Sequence, residues 1–137
     1  MPINYKVVKR AQAGVKGGGL LKYHAVATGR KVVNTRELAR MISDRCTARP
    51  GDVKIVLAEL AELIPELLRS GVSVQLEEIG IFSATLVAQL KDTPEEVNES
   101  SIKGLRVQFR ADNYLKAQIG VSKFKRVKAK LNPPPQS

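Results

Sequence analysis

Few residues of this chain have side chains suited to chemistry. His24 is the only histidine and Cys46 the only cysteine. A metal site needs three or four convergent ligands, and this pair cannot supply a usual set. His24 has strand-like neighbours and reads as a strand residue. No motif pairs Cys46 with a base, so it reads as a small, half-buried residue near a helix end. Glu59, Glu62 and Glu66 stand at i, i+3 and i+7 and share one side of a helix. Paired carboxylates can do acid–base work, but no pocket signal accompanies these, and they read as a solvated helix face. The glycines of GVKGGGLLKY invite a phosphate-loop reading. That motif needs Lys-Ser/Thr directly after its last glycine, and here Leu20 and Leu21 follow Gly19. A flexible hairpin loop is expected instead, with Lys16 and the bare backbone able to touch phosphate. Nothing points to an enzyme, and no cofactor is expected.

Charge is the stronger signal. The 137 residues carry a net +10, which points to a polyanionic partner, nucleic acid before acidic membrane. The charge is laid out in blocks. Residues 1–33 hold seven bases and no acid, residues 34–70 are balanced, residues 71–100 have a net of −5, and residues 101–137 a net of +8. A uniformly solvated surface would not be blocked in this way. Within the last block Arg106, Gln108 and Arg110 alternate with Val107 and Phe109. A strand here has one basic face and one apolar face, as a sheet laid on a phosphate backbone requires.

The elements that position these residues follow from local patterns. INYKVVKR (3–10) and LLKYHAVAT (20–28) read as strands joined by a flexible basic loop at 11–19, with a turn at Gly29. Asn34 is a good N-cap with Glu37 three residues on, a capping-box arrangement for a first helix ending near Cys46-Thr47. Pro50 suits the first turn of a second helix. Its apolar residues at 53, 56, 57, 60, 63, 64, 67 and 68 make a 3.6-residue stripe up to the stop at Gly71. Pro65 lies inside this helix and should bend it. Residues 72–90 read as two strands with Gly80 between them. IKGLRVQFR (102–110) is a further strand and ADNYLKAQI (111–119) a short helix. VSKFKRVKAK (121–130) is a strand or a tail, and LNPPPQS a disordered end. Two pairings remain open for the N-terminal strands: the main sheet, or the basic C-terminal segment.

The order over residues 34–119 resembles the HU/IHF family of bacterial histone-like DNA-binding proteins. The matching stretches are NTRELARMI, SGVSVQLEEIGIFSA and VQFRADNYLKAQI. The second is similar to the family's segment ending in Gly-x-Gly-x-Phe, with Gly80 and Phe82 kept and Glu78 in place of the first glycine. The extensions at both ends resemble those of a longer HU-related group of Bacteroidetes. The resemblance implies an α+β fold: a two-helix dimerisation body, an antiparallel β saddle and a short C-terminal helix, here with added N-terminal strands. It divides the chain into a basic β extension (1–33), an HU/IHF-like domain (34–119) and a basic segment with a Pro-rich end (120–137). It also implies an intertwined homodimer, with Val56, Leu60, Leu63, Leu67 and Phe82 in a shared core.

The partner implied is double-stranded DNA, bound by its phosphates without sequence preference. The expected contacts are Lys103, Arg106, Arg110, Lys116 and Arg36 on the scaffold. Lys6, Lys9, Arg10, Lys123, Lys125 and Arg126 add to them from the basic ends. The family's basic β-arms end in Arg-Asn-Pro, whose proline wedges between base pairs. At the arm position this chain has DTPEEVNESS (92–101), with four acids and no base. Thr93, Pro94 and the two glutamates that follow have the grammar of a helix start. A short helix or compact loop is expected there, without a wedge. Two other readings stand beside DNA binding. One is a protein-interaction module that has lost DNA and docks a basic partner on acidic residues 92–99. The other is an RNA-binding protein using Tyr5, Tyr23 and Phe124 for stacking. With no signal-peptide hydrophobic region, no membrane-length apolar run and no possible intramolecular disulfide, a soluble, cytoplasmic, nucleoid-associated protein is expected.

Overall fold

The computed structural model describes residues 2–11, 14 and 16–128. The chain divides into two compact units, Val33–Gly120 on the one hand and Met1–Val32 with Val121–Ser137 on the other.

The larger unit is α+β. Helix α1 (Thr35–Ser43) starts where the Glu37 N–H donates to Asn34 Oδ1 at 2.9 Å, which satisfies one of the N–H groups that a helix start leaves unpaired. It ends at Ser43, short of the expected Cys46-Thr47. The residues after it form single turns instead, with Arg45 N donating to the Ile42 carbonyl and Cys46 N to that of Ser43. Cys46 is exposed rather than half-buried, and its thiol donates to the Ile42 carbonyl.

Helix α2 (Pro50–Arg69) runs through Pro65 as one element. Its end is a Schellman arrangement. Gly71 has φ 79°, Val72 N donates to the Leu67 carbonyl and Gly71 N to that of Leu68. The stripe on α2 divides in two. Val53 and Leu68 are buried and Leu57, Leu60, Ile64 and Leu67 half-buried, whereas Val56 is 64% and Leu63 49% exposed.

Strands β3 (Val74–Leu76), β4 (Gly80–Ala88) and β5 (Ile102–Ala111) form one antiparallel sheet in that order. Phe82 sits opposite Phe109, ring centroids 4.8 Å apart. A side chain on Gly80 would place its Cβ 2.5 Å from the Arg110 carbonyl oxygen and 2.6 Å from the Phe109 ring, so this position must be glycine. The turn from β3 to β4 puts Glu78 at φ 66°, the left-handed region that favours glycine. Relief of that conformation should outweigh the extra chain entropy glycine brings to the unfolded state. Glu78→Gly is therefore expected to stabilise the fold by about 1 kcal/mol in urea unfolding; a destabilised variant would show that Glu78 makes up the cost through contacts of its own. Helix α3 (Asn113–Ile119) is capped by Asp112, whose Oδ2 accepts from Tyr114 N at 3.0 Å. Asp112 N in turn donates to the Ile79 carbonyl, tying the cap to the β3–β4 turn.

The smaller unit is a second three-stranded sheet. Strand β1 (Ile3–Arg10) pairs antiparallel with β2 (Lys22–Ala27) and parallel with β6 (Phe124–Arg126), in the order β2-β1-β6. Of the two pairings left open by the sequence, the N-terminal strands take the one with the C-terminal segment. The two basic ends are thus one sheet rather than separate extensions. Between β1 and β2, Lys16–Gly18 form a 3-10 turn; residues 12, 13 and 15 of the expected loop, and the LNPPPQS end, lie outside the described residues.

Candidate nucleic-acid interface

The β4–β5 register sorts the side chains of the larger unit. Ile81 faces Arg110, Ser83 faces Gln108, and Thr85 faces Arg106. Opposed residues of a pair share a face and the face alternates along each strand. One side of the hairpin therefore carries Arg106, Gln108 and Arg110 beside Ser83, Thr85 and the apolar Ile81. The other carries Phe82, Ala84 and Leu86 beside Leu105, Val107 and Phe109. Every residue from 102 to 110 is exposed, so the guanidinium groups are free to reach a ligand. Ser83 and Thr85 add hydroxyl hydrogen-bonders that reading the basic residues alone passed over; the alternation along β4 was the signal that could have found them.

Lys103 departs from this order. Val87 pairs with Gly104 and Ala88 with Ile102, so Lys103 is the extra residue of a bulge. It is an odd number of residues from Arg106 and Arg110 and unpaired in the ladder, so it lies outside their row. Lys116 is exposed on α3 and Arg36 is exposed in the first turn of α1.

The chain from 89 to 101 closes the hairpin. Gln89 N donates to the Ser101 carbonyl at 2.8 Å, which continues the ladder one step. Pro94–Glu96 and Glu99–Ser101 then form two 3-10 turns. Thr93 occupies the expected cap position with Pro94 after it, but its side chain makes no capping bond. The capping is done by Asn98, whose Oδ1 accepts from Ser100 N at 3.0 Å and from the Ser100 hydroxyl. Ser101 is buried, and its hydroxyl donates to the Asn98 carbonyl at 2.6 Å. The acids of 92–99 are all exposed around this small frame.

In the smaller unit the register brings bases together from both ends of the chain. Arg10 pairs with Lys22 and Asn4 with Lys125. Lys6, Arg10, Lys22 and Lys125 therefore share one face, together with His24, which pairs with Val8. Lys9 and Arg126 belong to the opposite face, Arg126 opposite Tyr5 and Lys9 opposite Tyr23. Lys22 was missed as a candidate because its place beside Arg10 is set by strand pairing. Lys123 precedes β6, and its carbonyl accepts from Ile3 N at 2.7 Å.

Among the described residues, no cluster of His, Cys, Asp or Glu could hold a metal ion, and no helix is long and apolar enough to cross a membrane.

Comparison with known proteins agrees with this architecture. No curated protein matches the sequence. Among solved structures, a crystal structure of a bacterial protein from Bacteroides vulgatus ATCC 8482, provisionally described as DNA-binding, superposes with a TM-score of 0.62 at 12% identity. The match covers 91% of this chain and 48% of that one, so this chain spans about half the length of that relative. The HU of an Anabaena HU–DNA cocrystal structure superposes with a TM-score of 0.50 at 19% identity, over 64% of this chain and 98% of that one. At such identities the likeness establishes the HU fold. The family model for HU domains fused to a winged helix-turn-helix, Ig or glycine-rich motif matches residues 1–126. With nearly its whole length matched, the chain belongs to this HU-HIG family.

Proposed function

We propose that this chain is a dimeric, architectural DNA-binding protein that grips duplex phosphates without a proline wedge. The observation that carries the reading is the two-faced β4–β5 hairpin, with Arg106, Gln108 and Arg110 on one side and apolar residues on the other. Arginine on a strand face can donate to successive phosphate oxygens, which positions a protein on DNA without reading bases. The HU fold, seen with DNA in the Anabaena cocrystal structure, supports the same partner.

The dimer accounts for the apolar surface that the single chain leaves open. Val56 and Leu63 on α2, and Leu86, Leu105 and Val107 on the sheet, are exposed. A monomer seldom leaves so many large apolar residues open along its elements, and a second copy would cover them. The missing wedge follows from the 92–101 segment. Its one proline, Pro94, starts a 3-10 turn and is followed by Glu95 and Glu96, and acids are repelled by the phosphates that line a minor groove.

Gel retardation of duplex DNA across a salt series tests the reading. With roughly 4–8 phosphates neutralised, log K should fall against log salt with a slope of about −4 to −7. A flat response would overturn it in favour of a protein-docking role for the acidic segment. Retardation that is specific to RNA would favour the RNA-binding reading.

A further inference from the structure

The smaller unit has a face that the duplex reading leaves unused. Ile3, Tyr5, Ala25, Ala27 and Phe124 line one shallow concavity of about 440 Å³. Tyr23 lies two residues from Ala25 and so shares this face; it is 61% exposed, and Phe124 is 69% exposed. The Lys9 ammonium stands 6.0 Å from the centre of the Tyr23 ring. Arg126, opposite Tyr5, completes the set. Three of the six aromatic residues in the whole chain thus stand on one side of a small sheet, flanked by two bases.

The charge of the unit limits what can cover this face. Its two segments hold seven bases before residue 33, five after residue 120, and no acid. A second copy seated here would bring like charge to like charge. The complementary occupant is a polyanion, and the aromatic rings decide which one. In a duplex the bases are stacked on each other and offer no free flat face. A single strand has unstacked bases that can lie on Tyr or Phe, while bases of the protein hold the backbone.

We propose that the aromatic face of the β2-β1-β6 sheet binds single-stranded DNA, with Tyr5, Tyr23 and Phe124 as the stacking platform and Lys9 and Arg126 as its phosphate contacts. This is a second nucleic-acid surface, independent of Arg106 and Arg110. Stacking is tolerant of sequence, so no base preference is expected.

The chain has no tryptophan, and two of its three tyrosines are on this face, so tyrosine fluorescence reports the platform directly. The full chain should be titrated with an oligo-dT of about 15 nucleotides, the length of a typical single-strand site. Quenching of tyrosine emission is expected. Tyr23→Ala and Phe124→Ala should each weaken oligo-dT binding roughly tenfold and leave duplex binding unchanged. Tyr23→Phe keeps a ring and should bind like the parent, which separates lost stacking from lost folding. Arg106→Ala with Arg110→Ala should lose duplex and keep oligo-dT. Three outcomes would overturn the proposal. One is binding of an aromatic-free polyanion such as heparin that loses as much affinity in Tyr23→Ala as oligo-dT does. Another is tighter binding of oligo-U than of oligo-dT, which would make RNA the ligand. The last is a change of oligomeric state in Tyr23→Ala or Phe124→Ala, which would make the face a contact between copies.

Discussion

Replacing Gly80 by alanine is expected to cost about 3 kcal/mol of stability, at the upper end of what overpacking a folded site does. A Cβ at this position would stand 2.5 Å from the Arg110 carbonyl oxygen and 2.6 and 2.7 Å from two atoms of the Phe109 ring. The carbonyl belongs to the β5 backbone, so it cannot swing aside as a long side chain would. The ring is held against Phe82. Relief needs the β4–β5 pair to part at the end where β5 leads into the α3 cap. Gly71 is the control. It too is glycine for a reason, with φ 79°, but nothing lies within 4 Å of a Cβ built there. Gly71→Ala should cost only about 1 kcal/mol, from backbone strain alone. Urea unfolding of the two variants beside the parent measures the difference. Each titration should be run at two protein concentrations, since the midpoint of a dimer rises with concentration and that of a monomer does not. Equal losses at positions 80 and 71 would show that the sheet end yields to the added carbon. A midpoint blind to concentration would remove the dimer from the proposed function.

The same glycine shows where sequence reading reached and where it stopped. The Gly80-x-Phe82 spacing was visible, but its reason, the Phe109 ring lying over Gly80, joins residues 29 apart in sequence and appears only once the strands are paired. Local signals were read well because their partners are near. Asn34 and Glu37 set the start of α1 from within one turn, and the glycine at 71 closed α2. The end of α1 is not legible locally, because no glycine or proline stands between Ser43 and Thr47 to mark it and these residues have no strong preference against helix. Thr93 and the proline after it fit the rule for a capped helix start, yet Thr93 makes no capping bond and Asn98, further along the segment, makes one. The alternation in β5 puts Arg106 and Arg110 on one face and leaves Lys103 off it, but only the pairing shows that Lys103 is the extra residue of a bulge. The least legible feature was the smaller sheet. Its β1–β6 pairing spans about 120 residues, and nothing local in Phe124–Arg126 says which strand it will join. That pairing, with the one between β1 and β2, is also what collects Tyr5, Tyr23 and Phe124, which are far apart in sequence.

Removing both Arg106 and Arg110 as alanines is expected to weaken duplex binding by about two to three orders of magnitude at moderate salt. The size follows from the dimer. Two arginines on each of two copies present four guanidinium groups, and each phosphate neutralised adds about 0.9 to the salt slope on B-form DNA. The slope of the variant should therefore be shallower by about 3 to 4, as well as its affinity lower. These two readouts must move together. Arg106 and Arg110 are exposed, and their side of the hairpin is not the one that carries Phe82 and Phe109. The variant should keep its urea midpoint, because exposed strand positions away from packing contribute within about 0.5 kcal/mol. Lost affinity with an unchanged slope would mean that the substitution damaged the fold rather than the contacts. Lys103→Ala should do less than either arginine alone, since it is an odd number of residues from both and sits unpaired in a bulge outside their row. Affinity and slope both unchanged in the double variant would place the duplex on another surface. The nearest candidate is then the row of Lys6, Arg10, Lys22 and Lys125 on the smaller sheet, opposite its aromatic face, where four bases from three strands share one side without an acid among them.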